Sequence, residues 1–294
     1  MMLLIHDERN DPIVKLLTNE RTKLEEAMGE PLVTVSLKKI LQDVTIYDVI
    51  EDGRAKIEWT FPDGTRLSNT DHVKLLSRIA QVPRELFTDF HPEDQEYAQT
   101  EFSAYLHFAL GAFPCKMTEP RFFGLSGEQL PMPLQWHRVQ KANLGVEVPR
   151  YYLGDLSLCP FDFQRENREF IINHTYGYRH WKPGGIPQGS HVFAVRRPAG
   201  MPYFALVVHE KTLVISGPQA PDLPPKTIER IRELSIKMAQ LLGCPIAELL
   251  FFVNGETFTF AVADINPVAT PQHPLFASTV IDGIMQFFKR PSHG

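Results

Sequence analysis

The pattern of apolar and polar positions is most informative near the C-terminal end of the chain. Phe258, Phe260 and Val262 alternate with Thr257, Thr259 and Ala261, a two-residue period that predicts a half-buried strand. The segment runs into Ala263-Asp264-Ile265-Asn266-Pro267, where proline stops further pairing and stiffens the exit. Upstream, Leu249 to Val253 predicts a partner strand, joined through a turn at Asn254-Gly255, because Asn-Gly favours a tight hairpin. A helix is expected from Pro224-Pro225 to Gly243, carrying Ile228, Ile231, Leu234, Met238 and Leu241, and another from Leu275 to Phe288.

The first hundred residues predict an open α/β layer. Leu3 to Ile5 is a short buried-type strand, Asp11-Pro12 a helix start, and Leu32 to Val35 a second strand. Val44, Ile46 and Val49 suggest a third strand, and Ile57 to Phe61, Pro62-Asp63-Gly64, then Thr65 to Leu67 a hairpin. His91-Pro92-Glu93-Asp94 opens a helix expected to bury a face of Tyr97, Glu101, Tyr105 and Phe108 up to Gly111. Pro131 to Gly145 reads as a further helix, followed by Val146 to Arg150 as an edge strand or linker. These features divide the chain into an N-terminal α/β region, 1–149, and a second region, 150–294. Within the second, 150–217 is strand-rich and irregular, with Phe170 to Ile172 a strand and 177–189 a loop of Gly, Pro and cations. His191 to Val195 and Tyr203 to His209 are expected to pair as a hairpin across Arg196-Arg197-Pro198-Ala199-Gly200, with Lys211 to Ser216 continuing the sheet.

Composition narrows the class. At 294 residues, 43% hydrophobic and 22% charged, the chain is an ordinary globular one. A net charge of -5 argues against a nucleic-acid surface. Eleven histidines show no metal spacing, and three separated cysteines suit reduced thiols better than a disulfide framework. Met1 to Ile5 meets His6, Asp7 and Glu8 at once, too short for a signal segment, and no apolar run is long enough to cross a bilayer. A cytoplasmic protein is expected.

The candidate chemistry begins with Asp264 and Asn266, two hard oxygen ligands on one face of a strand end, as a magnesium ion bridging phosphates requires. The bland alternative is a strand end with Asp and Asn as turn formers. Arg179, His180 and Lys182 with Gly184-Gly185 form a cationic loop able to approach phosphate oxygens, against a plain solvated loop. Lys211 sits two residues from His209, pointing into a cleft or guarding a strand edge. Asn173, His174 and Tyr176 follow a strand, and Cys115 beside Lys116 reads as inert core. No GxGxxG, Walker loop or serine elbow is present.

The order of parts resembles the ATP-grasp superfamily: a helix ending in Gly, an apolar strand, an Asn/Gly turn, a strand ending acid-x-Asn-Pro, and a closing helix. Asp264-Ile265-Asn266-Pro267 resembles the family's E-x-N-P with Asp for Glu, and the pair of strands around Val207-Val208-His209-Glu210-Lys211 resembles another family element. The resemblance implies an α/β, ATP-grasp-like fold and an ATP-dependent carboxylate–amine ligase working through an acyl phosphate. It implies ATP and Mg²⁺, with Asp264 and Asn266 as metal ligands and Arg179, Lys182 and Lys211 on the nucleotide. Arg196 or Arg197 would clamp a transferring phosphoryl group as the catalytic arginine. The substrate would be a small molecule or peptide with a carboxylate, and a homodimer or partner protein is left open.

Departures from the family pattern support an alternative, a catalytically inactive ATP-grasp-like binding or accessory protein. The family places another carboxylate on the strand facing E-x-N; here Phe251 and Phe252 stand in that region, and Glu248 is expected to precede the strand. The central part is short for the family's strand lysine, glycine-rich lid and second lysine, leaving Lys182 as the one candidate.

Overall fold

The computed structural model describes residues 1–160, 170–172 and 191–289. In chain order its first part comprises β1 (Met2–His6), α1 (Pro12–Asn19), α2 (Arg21–Met28), β2 (Leu32–Ser36), α3 (Leu37–Gln42), β3 (Thr45–Glu51), β4 (Arg54–Thr60), β5 (Arg66–Ser68), β6 (Lys74–Arg78), α4 (Gln95–Gly111), β7 (Cys115–Lys116) and α5 (Met132–Ala142). The first sheet, ordered β2-β1-β6-β7, is parallel throughout. Parallel strands are buried on both faces, which is why β1 is an unbroken apolar run. Leu3 and Ile5 enter one core while Met2 and Leu4 enter another. The Asp11-Pro12 helix start is as expected: the Asp11 carboxylate accepts the Ile13 N–H at 2.8 Å. Strands β3, β4 and β5 form an antiparallel sheet beside this layer.

Helix α4 buries a different face from the one its sequence suggested. Phe102, Leu106, Ala109 and Leu110 point inward, while Tyr97, Glu101 and Phe108 are exposed. Tyr105 alone of the expected face has a structural partner, accepting the Trp59 indole N–H at 2.7 Å. Burial and the charge of Asp48 push its phenol above the usual range, with the Trp59 hydrogen bond opposing them.

The second part contains β8 (Tyr151–Asp155), β9 (Phe170–Ile172), β10 (His191–Arg196), β11 (Met201–Val208), β12 (Lys211–Ser216), α6 (Pro225–Leu241), β13 (Ile246–Asn254), β14 (Thr257–Asp264) and α7 (Phe276–Lys289). Two antiparallel sheets result, β8-β10-β9 and β12-β11-β13-β14. The expected β10–β11 hairpin is therefore corrected. The two strands belong to different sheets; Arg196 ends β10 and Arg197 to Gly200 is the linker between them. His209 is likewise no strand residue: it adopts a left-handed φ of 57° in the turn closed by the Val208–Lys211 pair, so it does not share a face with Lys211.

Helix α5 packs into the C-terminal core although it precedes residue 149. Trp136 is 0% exposed and donates its indole N–H to the Ala261 carbonyl at 2.7 Å. Gln135 holds Ala263 twice, donating to its carbonyl at 3.0 Å and accepting its N–H at 2.8 Å. Glu147 exchanges backbone bonds with Phe258 and Phe260 at 2.8 and 2.9 Å. Together these groups cover the outer edge of β14, which would otherwise expose unpaired backbone. Among the described residues no helix is long and apolar enough to cross a membrane.

Candidate nucleotide and magnesium site

The site is built on the β13–β14 hairpin. Its turn is shifted by one residue from the expected Asn-Gly centre: Asn254 pairs with Thr257, leaving Gly255-Glu256 as the loop. Between Leu250 and Phe251 the register slips, so that Leu250 faces Val262 but Phe251 faces Phe260. The unmatched Ala261 reverses the alternation of β14, as a bulge does. Strict alternation would have put Asp264 on the phenylalanine face; the bulge puts it on the face of Thr257 and Thr259.

Directly across from Asp264 stands Glu248. The expectation that Glu248 precedes the strand is wrong: it lies within β13, opposite the motif acid. Phe251, by contrast, faces Phe260 in the core, with ring centroids 6.0 Å apart. A facing carboxylate is thus present, although its oxygens are already engaged. Glu248 is 0% exposed, and accepts the N–H groups of Val268, Ala269 and Thr270 at 2.8–3.1 Å. The Thr270 hydroxyl adds a further bond at 2.8 Å. Three amides and a hydroxyl answer the four or so acceptor sites of a carboxylate, so Glu248 anchors the loop after Pro267.

Two other contacts fix the same corner. Asp264 accepts the Asn266 N–H at 2.8 Å, an Asx turn. Arg78, 1% exposed at the end of β6, donates to the Ile265 carbonyl at 2.6 Å and, through Nε, to Asp11 at 2.8 Å. This arginine couples the N-cap of α1 to the peptide between Asp264 and Asn266. Beside the corner lies a cavity of about 70 Å³ lined by Gln129, Gln135, Cys244 and Asp264. Burial, and after it the charges of Glu128 and Asp264, push the Cys244 thiol up to about 12, so it is inert at neutral pH.

Magnesium keeps most of its water and is usually held by one or two carboxylates plus phosphate oxygens. Asp264 gives one acceptor site to Asn266 and stays half-exposed, and the Asn266 side chain is half-exposed two residues on. Strand β14 ends at Asp264 and Asn266 lies in the bend after it, so the two do not share a strand face as their spacing suggested, and Asp264 acts here as a turn former. Their donor types still suit such an ion, and Glu248, with its oxygens engaged, does not complete a larger set. Among the described residues no three His, Cys, Asp or Glu side chains gather as a metal cluster.

The remaining candidates do not converge on this corner. Lys211 is exposed on β12, the opposite edge of the sheet from β14. Three strand spacings separate the edges, about 14 Å at ~4.8 Å each. Arg196 and Arg197 line a 740 Å³ pocket with Glu147, Arg150, Asn254 and Thr257, at the far end of β14. Thr259, the β14 residue of that lining nearest to Asp264, is five residues from it, about 16 Å at ~3.3 Å per residue. Neither arginine lines the cavity beside Asp264. Arg179, His180 and Lys182, like Asn173, His174 and Tyr176, lie outside the described residues. Cys115 is half-buried, its thiol raised first by burial, as expected of inert core.

Of the two residues that fix this corner, Glu248 was placed before the strand and Arg78 was not singled out. Glu248 had a signal, an acid inside the apolar run Ile246 to Val253. Arg78 had one too, a cation between Leu75-Leu76 and Ile79 in a segment not read as a strand.

Neither a family model nor a curated protein sequence matches the chain. Solved structures do match along almost its whole length. The macrocyclase MdnC of Microcystis aeruginosa, bound with its precursor peptide MdnA, superposes with a TM-score of 0.68 at 14% identity, covering 96% of this chain and 98% of that one. A Chryseobacterium gregarium RiPP-associated ATP-grasp ligase, in complex with ADP and a leader and core peptide, gives 0.67 at 11%, covering 99% and 97%. This chain has the ATP-grasp fold. D-alanine–D-alanine ligase from Bacillus anthracis, at 0.53 and 11% over 97% and 96%, shares the ATP-grasp architecture less closely than the peptide-bound ligases do.

Proposed function

We propose that the protein is an ATP-dependent ligase that activates a carboxylate of a peptide and joins it to a nucleophile, an amine in the simplest case. The end-to-end likeness to ATP-grasp ligases solved with precursor peptides and ADP carries this reading. In such a reaction the carboxylate attacks the terminal phosphate of ATP, ADP leaves, and the amine displaces phosphate from the acyl phosphate. A bound magnesium ion would offset the charge spreading over the transferring phosphoryl group. Asp264 and Asn266 are the residues suited to hold it. Glu248 and Arg78 act on those ligands indirectly, fixing the loop after Pro267 and the Ile265 peptide. We assign Arg179 and Lys182 to the nucleotide phosphates. A cytoplasmic setting supplies ATP and suits the free thiols Cys115, Cys159 and Cys244.

A second reading, a peptide-binding module without catalysis, draws on two observations. Glu248 is engaged with the loop, and β9 is Phe170-Ile171-Ile172, without a lysine. Calorimetric titration of ATP with magnesium separates the two. The ligase reading predicts saturable binding that Asp264→Ala weakens at least tenfold, with the unfolding temperature lowered by only a few degrees through loss of the Asx turn; the second predicts no binding heat from either protein.

A further inference from the structure

Arg150, Arg196 and Arg197 come from two segments, the entry to β8 and the end of β10 with the linker that follows it, and line one 740 Å³ pocket whose other wall is the β13–β14 hairpin. Their backbones are fixed to one another. The Arg196 N–H donates to the Arg150 carbonyl at 2.8 Å, and Glu147 is bonded to β14 on both sides of Thr259. Gly200 closes the linker onto the hairpin: its φ is +98°, and a Cβ there would stand 2.2 Å from the Val253 carbonyl oxygen. Only glycine permits so close an approach. Arg150 and Arg197 are exposed and have no ion-pair partner among the described residues, in a chain of net charge -5. Glu147 is the single acid in the lining among the described residues.

We propose that this pocket binds an acidic segment of a peptide, with the side-chain carboxylates of Asp or Glu residues taken by Arg150 and Arg197. Guanidinium groups pair with carboxylates through two parallel N–H bonds, and a fixed fork loses less freedom than a lysine would. The volume falls in the range of clefts that enclose drug-sized or peptide ligands, roughly 300–1,000 Å³, and exceeds what a single phosphate needs. The inference deepens the peptide-directed reading above and assigns the recognised chemistry to the end of β14 remote from Asp264. The spacing adds a constraint. An extended chain spans about 3.3–3.6 Å per residue, and the lining reaches Thr259, about 16 Å from Asp264 along β14 at ~3.3 Å per residue, so the acidic segment must lie at least about five residues from a carboxylate delivered to Asp264.

The test is fluorescence anisotropy of a labelled peptide containing three glutamates, with its glutamine counterpart as control, in the absence of nucleotide. Omitting ATP keeps the result readable even if ligation fails. The full chain is expected to bind the glutamate peptide at least tenfold more tightly than the glutamine one. Arg150→Gln with Arg197→Gln should remove that preference while leaving the unfolding temperature within about 2 °C. Inorganic phosphate at millimolar concentration should leave the peptide bound. Equal binding of both peptides, an unaltered preference in the folded double variant, or full displacement by phosphate would each overturn the proposal, the last by making this a small-anion site. Should the double variant unfold, the single changes Arg150→Lys and Arg197→Lys keep the charge but lose the fork, and undiminished preference in both would also overturn it.

Discussion

Replacing Glu248 by Gln distinguishes a loop anchor from a metal ligand, because the two roles predict opposite signs. As an anchor, Glu248 accepts from the Val268, Ala269 and Thr270 amides and the Thr270 hydroxyl with no exposure to solvent. Hydrogen bonds to a charged group contribute about 1.5–3 kcal/mol each, and a buried donor left without its acceptor costs a further ~1–3 kcal/mol. Val268 is exposed and can turn to water, so the loss falls mainly on Thr270, which is buried, and half on Ala269. A carboxamide keeps one acceptor oxygen and aims an NH₂ at the remaining donors. The expected destabilisation is about 3–5 kcal/mol, comparable to breaking a buried ion pair. At about 2–4 °C per kcal/mol for chains near this size, the unfolding temperature should fall by roughly 10 °C. The measurement is thermal unfolding followed by circular dichroism in EDTA. A metal ligand facing Asp264 would instead be a like-charge burden in the metal-free protein, since opposed like charges on a sheet destabilise it. An unchanged or raised unfolding temperature for Glu248→Gln would therefore refute the anchor.

Two further expectations come from the same corner. Arg78→Lys should destabilise by about 2–4 kcal/mol, because a lysine cannot span Asp11 and the Ile265 carbonyl from one buried site, and chemical denaturation measures it; a loss under ~0.5 kcal/mol would contradict the coupling. For Cys244 the folded thiol is raised from an ordinary 9.0 to about 12. Its contribution is complete below pH 9 and is lost as pH rises from 9 toward 12, because the unfolded thiol ionises first. Stability should fall across that window with a slope near 1.4 kcal/mol per pH unit, a slope absent in Cys244→Ala, and at pH 8 a thiol reagent should reach Cys244 only on unfolding.

The elements whose apolar spacing reflects one buried face were legible in the chain itself. Helices α6 and α7 follow their periodicity and α1 starts at Asp11-Pro12, whereas the terminal hairpin lies where it was expected but β14, read as half-buried, is buried on both faces like β13. What escaped depended on contacts between distant segments. Strand alternation predicted one face for β14, and one extra residue at Ala261 moved Asp264 to the other. Arg196-Arg197 followed by Pro-Ala-Gly has hairpin chemistry, yet Gly200 serves a close approach to Val253 in a linker between sheets. The burial of α4 around Phe102 and Leu106 is set by Phe87, Trp59 and Phe113, none adjacent in sequence. Glu248 looked misplaced because its partners, Val268 to Thr270, lie about twenty residues on and donate through backbone groups that carry no side-chain signal.

We propose Asp264 and Asn266 as the holders of magnesium over the phosphates of ATP. A crystal structure with magnesium and a non-hydrolysable ATP analogue addresses it directly. A six-coordinate ion is expected about 2.0–2.1 Å from a carboxylate oxygen of Asp264 and the carboxamide oxygen of Asn266, with Glu248 still bonded to Thr270. An analogue bound with its magnesium elsewhere, an ion taken by Glu248 with the loop released, or an empty cleft at saturating analogue would contradict it.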